Sequence, residues 1–321
     1  MHAWLRVTRV PFAATAILDA LACLLLAYAA SGRTVTGLDV GGVLLLAATS
    51  LLLYLAGMAG NDWADRARDA VIAPGRPIPS GALSPTAVAV FVVIASAGAL
   101  ALGGGPLGDR LWVAASLACA IAYNAGAKRA LVPGALMMAG TRFANAGIVA
   151  GPLVLAGDAP IWVLAGPLSL GLYSAAITVL STTEEVERPA RIWIARGMTA
   201  ASFLGAAVAA WFAAGLPTLG IFLAFGVTSS VAFGRTPRAG PAKRQVLEML
   251  LAFYLLEFVV ASAVERGSFA GQAIALVTAF FFIWFSQRLL RALAPRTPEQ
   301  PEPVPAADAL PMEEGENDPT V

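Results

Sequence analysis

Histidine is almost missing from this chain. His2 is the one histidine among 321 residues, and standing alone near the N-terminus it reads as inert, so histidine-ligated metal chemistry has nothing to build on. Cysteine is nearly as scarce. Cys23 and Cys119 both fall inside apolar runs, with no metal-ligand spacing and no partner in a loop, which excludes a disulfide framework and leaves two core residues. Charge is short as well: 13% of residues are charged, against about a quarter in a soluble globular domain. The formal net charge of +1 carries no sign of a polyanionic partner, and no nucleic acid is expected. Alternating ten-residue segments are absent, which excludes a transmembrane barrel.

Hydrophobic residues make up 58% of the chain. They gather in repeated runs of about 20, each long enough to cross a bilayer as a helix at ~1.5 Å per residue. The expected fold class is therefore all-α, a polytopic membrane bundle, and the protein is expected to be integral to the lipid bilayer. Residues 1–9 carry Trp4, Arg6 and Arg9, a pattern suited to the headgroup region. Spans are expected at about 10–30, 38–60, 86–102, 111–127, 133–156, 161–181, 197–214, 216–233, 246–264 and 269–287. The first run exceeds a signal-peptide core and lacks a small-residue cleavage site, so it reads as a retained span.

With ten spans, all of the 21 Lys and Arg residues except Arg33, Arg110 and Arg266 fall on one side. The positive-inside rule makes that side cytoplasmic, and both termini lie there. Residues 291–321 form an acidic, proline-rich segment that cannot bury a core and is expected to be a disordered cytoplasmic tail, leaving 1–290 as the membrane domain.

The stretch Asn61-Asp62-Trp63-Ala64-Asp65-Arg66-Ala67-Arg68-Asp69 breaks abruptly out of the second apolar run. Continued as a helix, it sets Asp62, Asp65 and Asp69 three and four residues apart on one face. Like charges at that spacing cost a helix roughly 0.2–0.5 kcal/mol per pair, which asks for a compensating cation, with a hard divalent ion the obvious candidate. A solvated helix end is the plainer alternative. A second polar break, Thr182-Thr183-Glu184-Glu185-Val186-Glu187-Arg188, falls on the same predicted face.

Around these breaks stand Asn61, Arg76, Tyr123, Asn124, Lys128, Arg129 and Arg191. Carboxylates interleaved with bases are what a magnesium diphosphate requires: acids hold the ion, the ion bridges phosphate oxygens, and Lys or Arg neutralises the rest. Arg76, Tyr123, Asn124 and Lys128 read equally well as interfacial anchors.

Here the chain resembles a known family. Asn61 to Asp69 matches the NDxxDxxxD signature of the UbiA superfamily of intramembrane prenyltransferases, and Arg76-Pro77-Ile78-Pro79-Ser80-Gly81 resembles the R-P-x-x-S-G element that follows it there. The resemblance covers about residues 1–290 and implies a UbiA-type bundle of nine to ten helices around a lipid-open cavity. It implies a Mg²⁺ cofactor, with Asp62, Asp65, Asp69, Glu184, Glu185 and Glu187 as metal ligands and Asp62, Asp65, Asp69 and Arg76 as the catalytic set. Substrate contacts are expected from Asn61, Tyr123, Asn124, Lys128, Arg142, Asn145, Arg188 and Asp19.

The implied reaction ionises a prenyl diphosphate and transfers its isoprenyl group to a lipophilic or aromatic acceptor in a bacterial-type inner membrane. The chain departs from the family in its second motif. The family's is usually aspartate-rich, whereas no aspartate lies between Asp158 and Asp308, so glutamates would serve. That version resembles a less typical UbiA-like branch, including members linked to Ebo gene clusters, and an atypical protein that binds or transports a prenylated or lipid-like metabolite is the alternative.

Intramembrane acids are costly, at about 2.5–3.5 kcal/mol for a central aspartate on insertion scales. Asp19 and Glu257 should therefore face the interior or a wet cavity. For Asp19 a paired structural acid competes with an acceptor-side role, and Arg142 and Asn145 would face inward from the fifth span. Gly103-Gly104-Gly105 reads as a turn on the opposite side rather than a phosphate cradle.

Overall fold

The computed structural model describes residues 2–33, 38–183 and 188–214. These form eight α-helices: α1 (His2–Val7), α2 (Ala13–Ala30), α3 (Val40–Ile72), α4 (Pro85–Leu102), α5 (Arg110–Ala125), α6 (Leu131–Leu155), α7 (Ala165–Ser181) and α8 (Pro189–Ala214). No strand occurs among the described residues. Among the described residues, five segments are long and apolar enough to cross a membrane: 10–30, 40–72, 85–102, 161–181 and 189–213. Helix α5 is shorter, at 16 residues, and α6 carries Arg142 and Asn145 in mid-helix. The spans expected at 216–233, 246–264 and 269–287, and the acidic tail, lie outside the described residues.

Local chemistry accounts for the ends. Asp39 caps α3 by accepting from the amides of Gly41 at 3.2 Å and Gly42 at 2.7 Å, and Asp109 caps α5 by accepting from Leu111 N–H at 2.6 Å. Pro85 opens α4, where the missing N–H costs nothing. Helix α8, the seventh expected span, starts eight residues before the expected 197, because Pro189 supplies a helix start and Arg191 and Arg196 are helical rather than part of the polar break.

Helix α2 is central: it packs on α3 and α6 and touches α7 and α8, while α7 lies between α6 and α8. Outward-facing Val90, Val93 and Ile94 of α4 are exposed, as expected for a helix covered by lipid. Close approach depends on small residues. Trp112 of α5 lies against Gly147 and Gly151 of α6, where an added Cβ would stand 2.4 and 2.0 Å from the indole. Gly151→Ala is therefore expected to cost about 1–3 kcal/mol through overpacking, read as a lower denaturation midpoint in detergent, and Trp112→Leu in the same chain should recover it.

Candidate active site

Helix α3 has 33 residues, about 50 Å at 1.5 Å per residue. The hydrocarbon core is only about 30 Å thick, so the turns after Gly60 project beyond the apolar run. The helix carries through the acidic ladder without a break, and Asp62, Asp65 and Asp69 all line one cavity of about 1360 Å³.

The other walls come from four places. The N-terminal segment contributes Arg6 and Arg9, the α3–α4 connection Arg76 and Pro77, the end of α5 and the following turn Tyr123, Asn124, Lys128 and Arg129, and the end of α7 Thr178, Ser181 and Thr182. The end of the helix before the second polar break therefore reaches the same cavity as the first.

Each carboxylate has a base beside it. Arg76 Nη1 lies 2.6 Å from Asp69 Oδ2 and 3.9 Å from Asp62 Oδ1. Arg9 Nη2 donates to Asp62 Oδ1 at 3.3 Å. Lys128 Nζ lies 2.7 Å from Asp65 Oδ2 and donates to Asn61 Oδ1 at 3.0 Å. The compensation for the like-charge ladder is thus supplied by side chains from three other segments, not left wholly to a metal ion. Asp62 and Asp69 are 6% and 2% exposed, and burial at that level makes such pairing necessary.

The loop after α3 is a knot of turns that aims Arg76. Arg76 N–H donates to Ala73 O, Ser80 N–H to Arg76 O and Leu83 N–H to Pro77 O, each at 3.0 Å. Ile78 and Leu83 pack with Val7, Ala59 and Val88, which joins the loop to α1, α3 and α4. Arg6 Nη2 donates to Gly75 O at 3.1 Å, tying the N-terminal segment to the same loop.

Arg9 is a residue that sequence reasoning left as a headgroup anchor. Its backbone is left-handed, at φ 48° and ψ 44°, a conformation that costs a non-glycine residue roughly 1–2 kcal/mol. Tyr54 Oη donates to Arg9 O at 3.0 Å and Phe12 N–H to the same oxygen at 3.1 Å, so α3 and the start of α2 hold the turn that delivers its guanidinium to Asp62. No local signal marks it, since the contact joins residues 53 apart.

Four expected substrate contacts lie elsewhere. Asp19, Arg142 and Asn145 do not line the cavity. Arg142 Nη1 pairs with Asp19 Oδ2 at 2.7 Å and its Nη2 donates to Thr15 Oγ1 at 2.9 Å, while Asn145 Nδ2 donates to Ala16 O at 2.8 Å. Inside the bundle these contacts tie α6 to α2, and Asn145 Oδ1 is buried without a hydrogen-bond partner among the described residues. Arg188 is exposed at the foot of α8 and also lies off the cavity wall, with its carbonyl accepting from Arg191 N–H at 2.9 Å. Glu184, Glu185 and Glu187 lie outside the described residues.

Among the described residues the cavity is lined by six bases (Arg6, Arg9, Arg68, Arg76, Lys128 and Arg129) and three carboxylates. The model of the UbiA prenyltransferase family matches residues 20–237. The chain belongs to the UbiA prenyltransferase family. No curated protein sequence matches the chain. A solved structure of digeranylgeranylglyceryl phosphate synthase is similar to this UbiA-family chain over 82% of its length and 98% of the synthase chain, with a TM-score of 0.58 at 14% identity. At that identity the likeness shows a shared fold.

A Mg²⁺ ion asks for oxygen ligands and ordinarily takes one or two carboxylates, completing its shell with phosphate oxygens and water. Asp62, Asp65 and Asp69 supply such oxygens on one wall. Among the described residues no three His, Cys, Asp or Glu side chains converge as a preformed metal cage. The donor set thus fits a hard cation whose remaining positions go to phosphate oxygens and water.

Proposed function

We propose that this membrane protein is a Mg²⁺-dependent prenyltransferase that moves an isoprenyl group from a prenyl diphosphate to a lipophilic or aromatic acceptor. The observation that carries the proposal is the α3 ladder on a cavity wall where each carboxylate has a base beside it. Asp62, Asp65 and Asp69 would hold the ion, with Glu184, Glu185 and Glu187, which follow directly on the cavity's α7 wall in sequence, as further ligands. When bound, Mg²⁺ supplies charge neutralisation for the departing diphosphate.

The chain's own residues do the rest. Arg9, Arg76 and Lys128 stand next to the carboxylates, so a diphosphate drawn to that wall meets guanidinium and ammonium donors on its remaining oxygens. Those donors are held by fixed turns, so they stabilise charge as it develops on the leaving group with little reorganisation. Asn61 and Tyr123 set the position of Lys128, the first through its amide oxygen and the second through its ring face at 5.9 Å. The cavity and both polar breaks would face the cytoplasm of a bacterial-type inner membrane, as the basic-residue asymmetry implies.

Purified protein supplied with Mg²⁺, prenyl diphosphates of several chain lengths and candidate acceptors should release inorganic diphosphate. Asp65→Ala should abolish that release, as should chelation of the metal. Tight diphosphate binding with no release for any acceptor would instead favour a protein that binds or moves a lipid-like metabolite, a reading with which the pairing of every ladder carboxylate to a base is compatible.

A further inference from the structure

Arg9 is the one non-glycine residue among the described residues whose φ is positive. Such a conformation persists only where neighbouring contacts over-determine it, and residues held this way cluster where the strain serves a mechanism. Two hydrogen bonds hold the Arg9 carbonyl. Phe12 N–H donates to it at 3.1 Å as part of the short turn Val10–Phe12, a bond that comes with the turn itself. Tyr54 Oη donates to the same oxygen at 3.0 Å from 45 residues away. That second bond has no local origin, and it ties the turn to α3.

Tyr54 is a fixed point. It is 8% exposed, and its ring packs with Ala13 and Ala16 at the start of α2. Tyr54 does not line the cavity, whereas Arg9 does, and Arg9 Nη2 reaches Asp62 Oδ1 at 3.3 Å. Arg9 thus holds α3 at two places, by its carbonyl at Tyr54 and by its guanidinium at Asp62, about 12 Å apart along the helix at 1.5 Å per residue. In the ordinary right-handed region ψ differs by roughly 90° from that of Arg9. Such a change turns the carbonyl relative to the side chain, so the two contacts are kept together only by the left-handed turn.

We infer that Tyr54 is a positioning residue for the diphosphate site: its hydroxyl pins the left-handed turn, and the turn keeps the Arg9 guanidinium beside the ladder, where an arriving diphosphate meets it. The inference rests on the prenyltransferase reading and adds to it a residue outside the cavity. Nothing in the sequence marks Tyr54, an uncharged residue within an apolar run.

The test is a double-mutant cycle on the affinity of the full-length protein in detergent for inorganic diphosphate with Mg²⁺. It is measured by calorimetric titration below the denaturation midpoint of all four proteins. Tyr54→Phe keeps the ring and its packing, and Arg9 O keeps Phe12 N–H, so no buried polar group is stranded. Arg9→Gly removes the guanidinium and installs the residue best suited to a left-handed turn. Tyr54→Phe is expected to weaken binding about fivefold, the equivalent of one net neutral hydrogen bond, and Arg9→Gly about tenfold or more, as for a charged donor. Arg76 and Lys128 remain in place and keep that binding measurable.

In Arg9→Gly/Tyr54→Phe the affinity should match that of Arg9→Gly within about twofold, because Tyr54 acts through the side chain already removed. A tyrosine that only supports the bundle would weaken binding by the same factor in either background. Equal affinity in Tyr54→Phe and wild type, or an equal Tyr54→Phe loss with and without Arg9, overturns the inference and leaves the diphosphate site standing. If wild type itself binds no magnesium diphosphate, the site reading is refuted and the inference falls with it.

Discussion

Replacing Arg76 with alanine is expected to lower diphosphate release by roughly 10²–10³-fold, the usual consequence of removing one preorganised donor from a developing anion. The same change should also destabilise the fold. Asp69 is only 2% exposed and its carboxylate lies 2.6 Å from Arg76, and breaking a buried pair by removing one partner costs about 3–5 kcal/mol. Because the Arg76 side chain is 39% exposed, the loss should fall at or below the low end of that range.

A conservative substitution separates the two effects. Arg76→Lys keeps a cation beside Asp69, so it should regain most of the denaturation midpoint in detergent yet, lacking the planar fork of donors, remain well below wild-type turnover. If Arg76→Ala proves unstable but Arg76→Lys regains turnover in full along with stability, Arg76 serves the fold alone and its catalytic assignment is wrong.

How the site is assembled explains why one half of it was legible in sequence and the other was not. The acidic ladder is a local pattern: three aspartates at helical spacing must share a face whatever surrounds them, and α3 does run through them to Ile72. Arg76 was legible for a similar reason, being only seven residues from the carboxylate it meets. Lys128, already a candidate by residue type, and Arg9 meet Asn61 and Asp62 across separations of 67 and 53 residues, and only the packing of the N-terminal segment, α3 and α5 brings them there. Without those contacts the ladder reads as an excess of negative charge; with them it reads as a set of paired groups in a cationic cavity.

The helices follow the same division. Apolar runs located α2, α4 and α7 to within a few residues, since burial in lipid or protein rewards length and hydrophobicity alone. The start of α8 was misplaced because Arg191 and Arg196 look like loop, whereas a helix that leaves the membrane can carry them in its first turns. Arg191 Nη1 donates to Thr182 Oγ1 at 2.8 Å, which closes the end of α7 onto α8.

Asp19 and Arg142 illustrate how a correct rule can stop one step short. Intramembrane charges are costly and must face a partner or water, so both residues stood out, but the rule does not say which. In the structure they face each other at 2.7 Å, with Asp19 wholly buried. Asp19→Leu or Arg142→Met alone should therefore cost about 3–5 kcal/mol, by stranding the other charge, and yield little folded protein. Asp19→Leu/Arg142→Met should recover the wild-type midpoint or exceed it, since a buried pair exchanged for apolar groups of similar volume is often neutral or stabilising.

Thr15 tolerates the double exchange because its Oγ1 also donates to Phe12 O at 2.8 Å. The decisive measurement is transfer activity in that double variant. A substrate ligand removed from a stable protein leaves the enzyme folded and inactive. A structural pair replaced by packing leaves it folded and active, and with Asp19 and Arg142 set off the cavity wall, diphosphate release within about threefold of wild type is the expected result, corresponding to less than ~1 kcal/mol of transition-state stabilisation.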